Sequence, residues 1–113
     1  MGSDTPYKTG IRRYARISAD ISARIFRHGF PPSLARAHDI SCGGLFLYAP
    51  VELKEGDVVR VAFELPHSRM QFGVSAVVKN RDGFRYGVEF TNLTPEEVAE
   101  IQRVTTILEL AQH

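Results

Sequence analysis

Ile17-Ser18-Ala19-Asp20-Ile21-Ser22-Ala23-Arg24-Ile25 decides the fold. Apolar residues occupy every second position and polar ones most of the rest, a period of two that puts one face of a strand in a core and the other in water. Toward the carboxyl terminus, Gly29 and Pro31-Pro32 end this strand, and Ser33 to Ile40 is expected as a second. Gly43-Gly44 predicts a sharp turn before a third strand, Leu45 to Tyr48. Glu55-Gly56-Asp57 reads as a turn, after which Val59, Val61, Phe63 and Leu65 alternate until Pro66 closes the segment. Phe72, Val74, Ala76 and Val78 mark a fifth strand, Arg81-Asp82-Gly83 a tight hairpin connection, and Phe84, Tyr86, Val88 and Phe90 a sixth strand.

The period then changes. Thr94-Pro95-Glu96-Glu97 combines an N-cap, a proline at the first helical position and a capping-box glutamate, so a helix starts there. Val98, Ile101, Val104, Thr105 and Leu108 lay one apolar stripe along it. Six short antiparallel strands do not bury their apolar faces as a flat sheet. The expected architecture is therefore all-β, a six-stranded antiparallel barrel with a C-terminal α-helix packed on it. Residues 1–10 show no apolar period and are expected as a flexible tail, leaving 11–113 as the domain.

At 113 residues, 43% of them hydrophobic, the chain suffices for one core and not two. Its longest apolar run, Leu45 to Ala49, is stopped by Pro50 and is far below the roughly 20 residues of a membrane span. With no basic-then-apolar leader at the amino terminus, a cytoplasmic protein without membrane insertion is expected. Cys42 is the single cysteine, and His28, His38, His67 and His113 lack ligand-like spacing, so neither a disulfide within the chain nor a metal site is expected. The net charge of +1 argues against a protein that coats polynucleotides. The basic residues nevertheless crowd toward the amino terminus, where an anion would dock.

Arg12 and Arg16 precede the first strand at a spacing of R-x-x-x-R, and Asp39-Ile40-Ser41-Cys42-Gly43-Gly44 follows the second. A guanidinium offers a planar fork of donors that fits phosphate oxygens or the O6 and N7 acceptors of guanine. Arg13 adds a charge within reach of a phosphate. The carboxylate of Asp39 accepts only, and the Watson-Crick edge of guanine presents two adjacent donors to it. Ser41 can donate to a phosphate or orient the loop. Gly44, and with it Gly43, is expected to turn with positive φ and let backbone approach a ligand. Each half alone is a common turn or a common basic segment; together they describe a guanine-phosphate clamp.

These residues resemble the PilZ domain family, bacterial receptor modules for cyclic di-GMP, whose pattern is R-x-x-x-R followed by [D/N]-x-S-x-x-G. Arg12, Arg16, Asp39, Ser41 and Gly44 match it without departure, and Tyr86-Gly87-Val88-Glu89-Phe90 is similar to the family's late strand. The resemblance implies a split six-stranded barrel, no enzymatic activity, and an effector that changes conformation on binding and relays the signal to a downstream protein partner. The ligand-binding set it implies is Arg12, Arg13, Arg16, Asp39, Ser41, Gly43 and Gly44, with cyclic di-GMP as ligand and no cofactor. It also gives Ile11 a meaning: an apolar residue before the first motif arginine implies one ligand per domain. A basic lead-in without apolar contacts is expected to move freely until ligand folds it over.

Two other functional classes fit parts of the sequence. One is a PilZ-like interaction scaffold without ligand; the other is a small-barrel nucleic-acid binder, whose affinity would tolerate loss of Asp39 and fall steeply with salt. A catalytic triad from His38, Asp39 and Ser41 is disfavoured, because three residues within four positions do not align nucleophile, base and orienter. Cys42 reads as a redox sensor or a small turn residue. Arg36 either reaches the ligand or pairs with Glu89 or Asp20, and Phe26, Phe30 and Phe46 form either a stacking surface or part of the core.

Overall fold

A computed structural model describes residues 16–112. Six antiparallel strands, β1 (Ile17–Phe26), β2 (Ser33–Ile40), β3 (Gly44–Tyr48), β4 (Val58–Glu64), β5 (Gln71–Asp82) and β6 (Arg85–Thr91), are followed by one helix, α1 (Pro95–Ala111). The sheet closes on itself in the order β1-β2-β3-β6-β5-β4, with β4 returning to β1 through Ala23 opposite Phe63. Closure leaves no strand edge open, the hazard that six flat strands would carry. Among the described residues no helix is long and apolar enough to cross a membrane.

The period-two residues fill the barrel. Ile21, Ile25, Ile40, Leu47, Val61 and Val78 are wholly buried, and Phe63 stacks on Phe72 at 4.9 Å and on Phe90 at 5.9 Å between ring centres. Such offset aromatic contacts add about 0.5–1.5 kcal/mol to area burial. The capping box forms as expected: Thr94 Oγ1 accepts from the Glu97 amide at 3.1 Å, and the Thr94 amide donates to the Glu97 carboxylate at 2.9 Å. The helix then sends Ile101 and Val104 into the common core. Its polar side holds the β4–β5 connection, where Arg103 donates to the His67 carbonyl at 2.6 Å and Ser68 donates to Glu100.

Tyr86 is the largest fully buried side chain. Its hydroxyl donates to the Val51 carbonyl at 2.8 Å and accepts from the Leu53 amide at 3.0 Å, tying the long β3–β4 connection to the barrel wall. Both ends of a buried polar group are thereby satisfied.

One connection differs from the sequence expectation. β5 runs through Arg81 and Asp82, so the hairpin turn is Gly83-Phe84, with Gly83 at φ 63° and Asp82 paired to Arg85. A two-residue turn with glycine first matches the right-handed twist of the flanking strands. Phe84 is half exposed at that tip and is no part of the sixth strand.

Candidate ligand groove

Alternation along β2 sends Ala35 and Ala37 toward the core, and continued strictly it would bury Asp39. It does not continue. Ala37 pairs with Leu47 but Asp39 pairs with Phe46, so the strand carries one extra residue at His38. This bulge shifts the phase: Ile40 is wholly buried, and Asp39 turns outward with 24% of its side chain exposed. A one-residue slip exchanges the two faces of a strand, and bulges re-aim side chains in this way.

Ser41 follows Asp39 and is buried. Its amide donates to the Gly44 carbonyl at 3.0 Å and its hydroxyl accepts from the Gly43 amide at 3.0 Å. Ser41 thus helps to hold the loop, one of the two roles open to it in sequence. The expected positive φ of Gly43 and Gly44 is not found; among the described residues the glycines with positive φ are Gly29, Gly56 and Gly83. Gly44 is required for another reason. A Cβ there would overlap the backbone carbonyl of Val88, so its bare Cα is what lets β3 lie close against β6. Gly43 contributes its carbonyl, which accepts from the Phe90 amide at 2.9 Å.

Arg16 immediately precedes β1, two residues from Ser18, which pairs with Asp39. Its guanidinium lies 3.6 Å from the Asp39 carboxylate, an ion pair longer than a hydrogen bond, with Arg16 about half exposed. Ile11, Arg12 and Arg13 lie outside the described residues. Arg16, Asp39, Ser41, Gly43 and Gly44 thus border one open groove of about 260 Å³.

The opposite wall was not anticipated. Lys79, Asn80 and Glu89 line the same groove, with Gly87 beneath them. Alternation in β5 stops at Val78, because Val78 pairs with Val88 while Asn80 pairs with Gly87, a second bulge at Lys79. Asn80, which strict alternation would have buried, is exposed like Lys79. The Lys79 ammonium stands 3.7 Å from the Glu89 carboxylate. Alternation reports burial, so the polar continuation of β5 left no periodic signal; the loss of phase after Val78 was the available clue. A larger cavity of about 410 Å³ lies by Phe63 and Phe72, is lined by none of the described motif residues, and volume alone does not make it the site.

Other residues resolve into structural roles. Arg36 pairs with Asp20 at 2.8 Å rather than with Glu89. Cys42 packs against the core, and burial pushes its thiol pKa up, which disfavours the reactive thiolate. Phe30 is exposed beneath the Arg27 guanidinium at 4.0 Å, Phe26 is partly exposed on β1, and Phe46 lies on the groove floor. They do not form one stacking surface. Among the described residues no group of three His, Cys, Asp or Glu side chains is placed to hold a metal ion.

The sequence matches the model of the PilZ domain family over residues 11–106. No curated protein matches it. Among solved structures, the PilZ domain of YcgR from Escherichia coli with cyclic di-GMP is 24% identical, with a TM-score of 0.73 over 91% of this chain and 95% of that one. YcgR from Escherichia coli in complex with cyclic di-GMP is likewise 24% identical, with a TM-score of 0.78 over 89% of this chain and 47% of that one. The Bacillus subtilis inhibitor of motility, MotI/DgrA, is 16% identical, with a TM-score of 0.78 over 93% of this chain and 54% of that one. The chain therefore spans about half the length of these last two proteins, and at these identities the likeness establishes the barrel fold.

Proposed function

The chain belongs to the PilZ domain family, and from that premise we propose that it is a receptor for cyclic di-GMP. The observation that carries this reading is the convergence of Arg16, Asp39 and the Ser41-held loop on the rim of one open groove. Asp39 accepts the two donors of a guanine edge, Arg16 and Arg12 engage phosphate or the guanine O6 and N7, and Arg13 adds charge toward the phosphates. Ser41 acts by fixing the loop, and Gly43 and Gly44 by keeping its backbone low.

The Arg16–Asp39 contact suits a receptor. A partly exposed ion pair at 3.6 Å, longer than a hydrogen bond, is worth about 1 kcal/mol or less, so ligand displaces it at small cost. The guanine edge then replaces Arg16 at the carboxylate, and Arg16 is released to a phosphate. This exchange is the proposed conformational step, and its readout by a downstream protein partner is the proposed function of the domain.

Calorimetry on single variants tests the clamp. Arg16→Ala and Asp39→Ala should each weaken cyclic di-GMP binding by about 2–5 kcal/mol, the range for truncating one partner of a desolvated charged contact. Unchanged affinity in both variants removes the clamp.

A further inference from the structure

The two walls of the groove carry the same chemistry. On one, Arg16 stands 3.6 Å from Asp39; on the other, Lys79 stands 3.7 Å from Glu89. Asp39 faces outward because of the bulge at His38, whereas Lys79 and Glu89 face outward by the ordinary alternation of β5 and β6. The groove between them is shallow in side chains, since Gly44 of β3 and Gly87 of β6 carry none and Phe46 is the outward side chain of β3 that lines it. Lys79 and Glu89 are each more than half exposed, so their mutual attraction adds little to stability and both remain available to a ligand.

The register sets their spacing. Asp39 is opposite Phe46 and Glu89 is opposite Gly44, so the two carboxylates belong to strands on either side of β3 and are offset by two residues along it. Two strand spacings and two residue rises place their backbones about 12 Å apart. A mononucleotide base reaches one of them. A cyclic dinucleotide has two halves, each with one phosphate anion and one base, and can reach both.

Resting on the receptor reading above, we propose that Lys79 and Glu89 form a second half-site that reads the second nucleotide of the same ligand. Glu89 accepts the N1–H and 2-amino donors of the second guanine, and Lys79 meets the adjoining phosphate. The family motif supplies one guanine acceptor, Asp39; Glu89 supplies the other and makes the groove selective for two guanines over one. Adenine presents a bare N1 where guanine has N1–H, so a carboxylate at this position disfavours it.

The test is calorimetry of the full chain with cyclic di-GMP and with the hybrid 3′,3′-cyclic GMP–AMP, whose single guanine goes to Asp39. Wild type should prefer cyclic di-GMP by about tenfold or more, the worth of one charge-assisted hydrogen-bonded contact. Glu89→Gln should collapse that preference toward unity, and Lys79→Ala should weaken both ligands by the same factor, since both carry the phosphate. Thermal unfolding of each variant confirms that the barrel is intact. Should wild type bind cyclic di-GMP while Glu89→Gln keeps the full preference, or wild type show none, the second half-site is wrong and the receptor stands. Failure of wild type to bind cyclic di-GMP at all removes both.

Discussion

Gly44→Ala separates two reasons for a motif glycine. If Gly44 serves only the approach of a ligand, alanine should leave the free protein unharmed. The structure says otherwise: the added Cβ meets the backbone carbonyl of Val88, which has no rotamer to yield. Overpacking of this kind costs about 1–3 kcal/mol. Moving β3 away from β6 also stretches the bond from the Phe90 amide to the Gly43 carbonyl, now 2.9 Å, worth about 1 kcal/mol more. Because φ of Gly44 is not in the left-handed region, alanine restrains the unfolded chain and returns roughly 0.5 kcal/mol. The net destabilisation is about 1.5–3.5 kcal/mol, a fall in thermal midpoint of roughly 6–14 °C for a domain this size. Differential scanning calorimetry without ligand reads it directly. Gly87→Ala is the internal control, because its new Cβ meets the mobile end of Asn80 and should cost less than about 1 kcal/mol. A Gly44→Ala protein that melts with wild type and has lost only ligand binding would refute the packing argument.

Two further outcomes follow from the fold. Tyr86→Phe removes the hydroxyl shared by Val51 and Leu53 and should destabilise the protein by about 1–3 kcal/mol in urea titration, with the unfolding slope unchanged. Hydrogen bonds from Arg103 and then Ser68 hold the Glu100 carboxyl down to about 2 from its ordinary 4.5. The unfolded chain thus binds the proton more readily, so the stabilisation is full above 4.5 and is lost as pH falls toward 2. The difference in unfolding midpoint between wild type and Glu100→Gln should shrink over that window; a difference that grows with acid would contradict the assignment.

Where burial alternates, the chain announced its structure. Ile17 to Ile25 and Phe72 to Val78 show their strands because every second side chain enters the core, and Thr94-Pro95-Glu96-Glu97 shows its helix start because those side chains satisfy specific free amides. The places of Arg16, Asp39 and Ser41 around one loop were also legible, through motif order. The far wall was not. Asn80 is turned outward by a bulge, and Lys79 and Glu89 come beside the motif residues by the pairing of β5 with β6 and of β6 with β3; both depend on cross-strand register, which has no local signature. In sequence Gly44 suggests only its own conformational freedom, whereas its requirement lies in Val88, 44 residues further along. The hairpin turn lies beyond Arg81-Asp82 because these polar residues stand at a strand end, where pairing persists after burial has stopped.

The central claim is that this groove receives cyclic di-GMP. Titrating the wild-type chain in a calorimeter with cyclic di-GMP, cyclic di-AMP and GTP tests it most directly. Saturable binding of cyclic di-GMP, with the other two at least about tenfold weaker because one lacks guanine edges and the other cannot span both walls, is the predicted result. Equal affinity for all three, or no heat with cyclic di-GMP, would contradict it.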